Sequence, residues 1–152
     1  MKWWPVVGMS KMLTEKEKYE SKHEAQKLGL FKRSLHLYMI DVGNSNQLNF
    51  EIHALHTPRY NIHRFGIYFA ASPRHADLLI VLGRPTKKMI APLKETIRQL
   101  PTPFGIMLIK GCEETGTDPE KLNLPNVVAV MDGCPTASEM LGTLLKIAGR
   151  TD

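Results

Sequence analysis

Cys112 and Cys134 are the side chains best suited here to bind a soft metal or pass electrons, because a thiolate is both a nucleophile and a metal ligand. Each directly follows a glycine, and the two lie 22 residues apart, a spacing that fits no zinc finger. Two readings stay open for them: small buried hydrophobes, or a thiolate pair that reaches a ligand from a loop. Of the six histidines, His53 and His56 stand three apart on an expected helix and His63 lies beyond Pro58. No acidic residue completes a zincin pattern around them, so they read as ordinary surface or partly buried histidines. The segment Gly43–Asn44–Ser45–Asn46 precedes a helix and could nest a phosphate. There is no G-x-G-x-x-G, P-loop or nucleophile elbow, which leaves a flavin or nucleotide site as the weaker reading.

These residues need a scaffold. Leu35–Val42, Phe65–Ala71, Asp77–Gly83, Phe104–Ile109 and Val127–Met131 read as strands with near-continuous apolar centres, the pattern of a parallel sheet buried on both faces. Helical patterns fall between them at Gln47–His56 and Lys87–Gln99, and a last one at Ala137–Ala148 closes the domain. The alternation predicts a flavodoxin-like, doubly wound α/β domain over residues 34–152, with residues 1–33 as a partly helical N-terminal arm. In such a sheet ligands sit beyond the carboxyl ends of the strands. The loops expected there are 43–47, 72–75, 83–86, 111–114 and 133–136, so both cysteines fall on one edge.

Composition bounds the rest. The chain has 152 residues, 43% hydrophobic and 23% charged, enough for one core and unlike a disordered or collagen-like sequence. Two cysteines exclude a disulfide-rich secreted scaffold. The net charge of +5 suits an acidic partner, anionic lipid or nucleic acid without choosing among them. No apolar run approaches the roughly 20 residues of a membrane span. The stretch Met1–Leu13 is too short for a signal peptide, so the cytoplasm is the expected compartment. Trp3 and Trp4 sit in the arm, and Thr14 with Glu17 has capping-box spacing for a charged helix over Thr14–Glu20. A tryptophan-bearing arm suits a partner or a membrane surface.

Several motifs then occur in a specific order. Leu55–His56–Thr57–Pro58–Arg59–Tyr60–Asn61–Ile62–His63–Arg64–Phe65–Gly66–Ile67 is followed by Ser72–Pro73–Arg74–His75–Ala76–Asp77–Leu78–Leu79–Ile80–Val81–Leu82–Gly83. Next come Thr86–Lys87–Lys88–Met89 with Ala91–Pro92, and finally Gly133–Cys134–Pro135. Over Ser34–Gly149 the chain resembles the small iron–sulfur subunit of membrane-bound energy-converting nickel–iron hydrogenases and the 20 kDa (B-type) subunit of respiratory complex I. The matching family patterns are LTPRYD..RFGI, SPRHADLLIVTG, TNKMAP and PGCPP.

The resemblance implies one 4Fe–4S cluster on four cysteines. Two of them belong to a G-x-C-N-x-C-[DE]-x-E loop, and Gly43, Asn46 and Glu51 match its frame while Ser45 and Leu48 occupy the cysteine places. Cys112 and Cys134 match the other two. The implied reading is a degenerate member that folds without metal and keeps both cysteines as free thiols, with Ser45 and Asn46 bonding the loop backbone. The rival is a cluster held by unusual ligands such as Ser45. Glu51 would relay protons or tune a potential, and Arg59 and Arg74 would brace loops or meet acidic groups of a partner. The implied role is a peripheral-arm subunit of an oxidoreductase complex, not catalytic alone. The implied partners are a large hydrogenase-like or 49 kDa-like subunit, a ferredoxin-like subunit and membrane antiporter-like subunits, on the cytoplasmic face of the membrane, with no nucleic acid. The other classes are a free-standing regulator and a flavin- or nucleotide-binding flavodoxin-like protein.

Overall fold

The computed structural model describes residues 18–28, 34–112 and 115–150. Five strands carry the chain: β1 (Leu35–Gly43), β2 (Ile67–Phe69), β3 (Leu78–Gly83), β4 (Gly105–Ile109) and β5 (Val127–Met131). They form one sheet in the order β2-β1-β3-β4-β5, with every neighbouring pair parallel. Among the described residues three α-helices alternate with them: α1 (Asn46–Ala54), α2 (Ile90–Arg98) and α3 (Ala137–Ala148).

The apolar runs become strands because helices cover both faces. Every residue of β3 and of β4 is buried. Successive side chains alternate across the sheet. Leu78, Ile80 and Leu82 join one core with Leu48 and Ile52 of α1 and Met140, Leu141 and Leu144 of α3. Leu79 and Val81 join a second core with Leu93 of α2. α3 starts with a capping box between Thr136 and Glu139 and stops at Gly149, whose φ of 66° is the left-handed conformation a helix end favours.

The elements differ from the sequence reading at their ends and in one connection. β2 is three residues long, because a 3-10 turn over Ile62–Phe65 and left-handed Gly66 consume its expected start. Leu37 pairs with Phe69, the last residue of β2, and with Leu78, the first of β3. The connection carrying Ser72–His75 therefore leaves and returns at the starting end of β1 and does not join the loops beyond the carboxyl ends. Asp77 fixes it there: its Oδ2 accepts from the His36 backbone N–H at 2.9 Å and lies 3.2 Å from His36 Nδ1.

The described part of the arm lies on the domain. Ala25 bridges Ala129 on the outer edge of β5, and the Gln26 N–H donates to Val128 O at 2.7 Å. This covers an edge that would otherwise present unpaired backbone. Lys146 Nζ donates to Ser21 O at 2.6 Å and His23 O at 3.2 Å, and the Ser21 and Thr143 hydroxyls are 2.6 Å apart. The arm crosses α3 at Gly142, where a Cβ would stand 2.9 Å from Tyr19 O. Residues 18–20 are not helical. The rest of the expected Thr14–Glu20 helix, and Trp3 and Trp4, lie outside the described residues.

Candidate functional site

The site is built by the register of β4 and β5. Ile109 pairs with Met131 as the last rung of the two strands. Past it the ladder ends, yet the next residues still meet in pairs, with an antiparallel bridge among them. Lys110 and Asp132 form an ion pair at 2.9 Å, Gly111 and Gly133 form a backbone bridge, and Cys112 and Cys134 form a disulfide with their Cα atoms 5.3 Å apart. These three rungs, each joining residues 22 apart in sequence, clasp the two strand-end loops together. Gly111 and Gly133 both have positive φ, 74° and 77°, which turns the chain out of the sheet immediately before each cysteine.

The disulfide corrects the expectation of two free thiols. Carrying the two chains three residues past the strand ends brings the Cα atoms to 5.3 Å, within the 4.4–6.8 Å range that a disulfide spans. Cys112 is exposed and Cys134 is half-buried.

The charge beneath the disulfide is dense. Lys110 Nζ also lies 3.0 Å from Glu120 Oε1 and 3.9 Å from Asp118 Oδ1. Its side chain is only 11% exposed. The hydrogen bond to Asp132, aided by Glu120, outweighs burial and holds the ammonium pKa above its ordinary value. Sequence reasoning does not single out Lys110, Asp118 or Asp132. The available signal is that Lys110 and Asp132 each precede a cysteine by two residues.

The loop after β1 closes the other side. Ser45 is the N-cap of α1, yet its side chain makes no cap hydrogen bond. Asp41 does the ordering expected of Ser45 and Asn46. Its Oδ1 accepts from the N–H groups of Gly43 (3.1 Å) and Asn44 (3.2 Å), and its Oδ2 accepts from Asn49 Nδ2 at 3.1 Å. Leu48 is buried to 1% and belongs to the main core. Its Cδ1 lies 3.4 Å from where a Cβ on Gly111 would stand, so an apolar side chain fills the space beside the clasp. Glu51 Oε2 accepts from the Ala137 backbone N–H at 2.7 Å, the first residue of α3. That contact satisfies an orphan donor at the positive end of the helix. Between β1 and β3, the Asn44 amide and Arg84 Nε are buried without a hydrogen-bond partner among the described residues.

The structure thus brings Ser45, Leu48, Glu51, Cys112 and Cys134 to one edge and leaves Arg59 and Arg74 apart from it. Arg59 is exposed, with its guanidinium 5.7 Å from the Tyr60 ring centre. Arg74 is exposed on a 3-10 turn, and its backbone N–H donates to Ser72 Oγ at 3.3 Å. The brace in this motif is Arg64, which donates to Tyr19 Oη at 3.0 Å and stacks over Phe65 at 4.6 Å.

A second cluster lies at the β2 edge. His56 packs on Phe69 (4.7 Å) and His63 (5.5 Å), beside a cavity of about 280 Å³ lined by Tyr38, Met39, Ile52, His53, His56, Phe69 and Ala70. Desolvation, then repulsion from His63 and His53, pushes the His56 pKa below the ordinary histidine value.

A 4Fe–4S cluster takes four thiolates from four directions. The four positions that the motif resemblance assigns to cluster ligands hold a hydroxyl, a buried leucine and two sulfurs bonded to each other. These residues do not fit the cluster. Among the described residues no group of three or more His, Cys, Asp or Glu side chains could hold a metal ion.

No protein-family model matches the chain. It is 34% identical over 125 residues to an uncharacterized protein of Methanocaldococcus jannaschii, covering 77% of this chain and 84% of the relative. A probable membrane-bound hydrogenase subunit, mbhJ, of Pyrococcus furiosus is 35% identical over 104 residues, covering 68% of this chain and 62% of that one. The B-type subunit of NADH-quinone oxidoreductase from Citrifermentans bemidjiense is 38% identical over 66 residues, covering 43% and 39%. Among solved structures, a chain of the membrane-bound sulfane sulfur reductase, an archaeal respiratory membrane complex, superposes with a TM-score of 0.57 at 24% identity, covering 78% of this chain and 70% of that one. That likeness concerns the fold.

Proposed function

The chain belongs to the family of small subunits shared by respiratory complex I and membrane-bound energy-converting hydrogenases, and from that premise we propose that it is a peripheral-arm subunit of such a membrane oxidoreductase, structural in role and without its own 4Fe–4S cluster. One observation carries the loss of the cluster: Leu48, at a ligand position, is buried to 1% against the clasp. An apolar group worth about 1.5–3 kcal/mol of burial has replaced a ligand, so the loop is held by packing. Glu51 and Asp41 supply the remaining order through backbone hydrogen bonds. Glu51 is accordingly a helix anchor.

A peripheral seat agrees with the described residues, which include no helix long and apolar enough to cross a membrane. The partners in this reading are a large hydrogenase-like subunit, a ferredoxin-like subunit and membrane antiporter-like subunits, with this chain on the cytoplasmic face.

Affinity purification from mild-detergent extracts, followed by anaerobic iron and acid-labile sulfide analysis, tests both halves. The expected result is co-purification with a large hydrogenase-like subunit and no iron attributable to this chain. A monomer that carries yellow flavin would overturn the assignment to a complex. About four irons on this subunit would overturn the loss of the cluster.

A further inference from the structure

The three-rung clasp does more than replace a missing ligand set. A disulfide buried in a core is shielded from attack, whereas exchange requires that a thiolate reach one sulfur in line with the bond. Here Cys112 is exposed and Cys134 is half-buried, so the bond is open to solvent and Cys112 is the more accessible residue of the two. The bond also does not carry the clasp alone. The Lys110–Asp132 ion pair and the Gly111–Gly133 bridge lie directly beneath it and hold the same two loops in register. Below them the β4–β5 ladder runs from Ile106 to Met131. Opening the disulfide therefore leaves the sheet, both cores and the lower rungs in place.

We propose that Cys112–Cys134 is a reversible thiol–disulfide exchange site that takes low-molecular-weight thiols, with Cys112 as the attacked sulfur. This rests on the reading that the site holds no cluster. The thiolate of one small thiol attacks Cys112 Sγ, the Cys112–Cys134 bond breaks, and Cys134 leaves as a thiolate that takes up a proton. The product is a mixed disulfide on Cys112. A second small thiolate attacks the small-thiol sulfur of that mixed disulfide. Cys112 leaves as a thiolate and is protonated, and the free symmetric disulfide departs. The protein gains two electrons and two protons, and two small thiols are oxidised to one disulfide. The reverse sequence closes the clasp.

The test uses the full-length protein, with iron measured on the same preparation. Samples are equilibrated with glutathione buffers of varied reduced-to-oxidised ratio, starting from both fully oxidised and fully reduced protein. They are then quenched by alkylation and read by peptide mass spectrometry. The expected result is one titration curve reached from both directions, glutathione found on Cys112 and not on Cys134, and an unchanged circular dichroism spectrum. Amide hydrogen exchange at Lys110, whose N–H donates to Met131 O, and at Ile106–Ile109 should stay protected on reduction. Cys134→Ser, which leaves Cys112 alone, should accumulate the mixed disulfide; Cys112→Ser should not. In iron-free protein, a pair that opens only in denaturant, or glutathione on Cys134, overturns the exchange site alone. Iron bound at the two cysteines overturns the cluster-free reading on which it rests.

Discussion

Leu48 decides more than any other residue at this edge, because the side chain that fills the space beside the clasp is also a full member of the core. Truncation tests that dual position. Leu48→Ala removes buried methyl groups and leaves a hole beside Gly111, so the protein should lose about 2–5 kcal/mol in urea unfolding. A loss under about 1 kcal/mol would mean that the site collapses freely and that Leu48 is not what holds the loop. The sequence shows which residues gather here, since Ser45, Cys112 and Cys134 lie where strand ends are expected and Leu48 and Glu51 lie early in the helix expected after the first of them. It does not show how they bond. Glu51 to the Ala137 N–H spans 86 residues, and no local pattern encodes such a contact. The disulfide is hidden for a related reason: a spacing of 22 matches no motif, and only the register of β4 against β5 turns it into a 5.3 Å separation.

Whole elements are more legible than their junctions. The strands with continuous apolar centres, β3 and β4, are where periodicity places them, because burial on both faces leaves few other arrangements. β2 is shorter than its pattern suggests because Tyr68, Phe69, Ala70 and Ala71 look strand-like, while the 3-10 turn ending at Gly66 is set by left-handed Asn61 and Gly66. The docking of the arm on α3 cannot be anticipated from a lone helical glycine, which ordinarily costs about 1 kcal/mol relative to alanine. Here it allows the arm's backbone to pass. Gly142→Ala should improve helix propensity yet push Tyr19 and Glu20 away, since a Cβ would meet the arm's backbone atoms at 2.9–3.0 Å. Amide exchange at Gln26 and Leu28, whose N–H groups bond Val128 O and Ile147 O, should quicken. Unchanged protection at both amides would show that the helix and arm accommodate the methyl group. Where α1 ends, three imidazoles lie close together. His56 has a folded pKa below its unfolded value of about 6.5, so the unfolded chain binds more protons as the pH falls toward that value. Stability contributed by neutral His56 is therefore present above about pH 6.5 and lost as the pH falls through that window. Exposure keeps the effect small. Comparing urea midpoints at pH 7.5 and 5.5, His56→Gln should lose less on acidification than the parent protein. An equal loss would assign the acid sensitivity to other groups.

At the scale of the whole molecule, the sheet separates two ends. The clasp, Leu48 and Glu51 gather at the carboxyl ends of the strands, while the His36–Asp77 pair and the turn carrying Arg74 belong to the starting end of β1. A large partner that contacts both ends must wrap the domain, and one that contacts a single end will ignore changes at the other. Arg74 discriminates between these cases because it is exposed and its substitution leaves both cores untouched. Surface substitutions of this kind usually change stability by no more than about 0.5 kcal/mol, so an assembly defect would not be a folding defect. Charge reversal also changes the molecule's overall field, and that contribution has to be separated from a local one. Lys94→Glu makes the same change in charge on exposed α2 and serves as the control. If Arg74 pairs with acidic groups of the large subunit, Arg74→Glu should reduce co-purification of that subunit while Lys94→Glu leaves it near the parent level. The parental complex should also weaken as salt is raised past about 0.15 M, where charges more than roughly 8 Å apart are screened. Equal losses in the two variants would attribute assembly to net positive charge. Unchanged assembly in Arg74→Glu would remove this end of the sheet from the interface and leave the clasp end as the face that meets the partner.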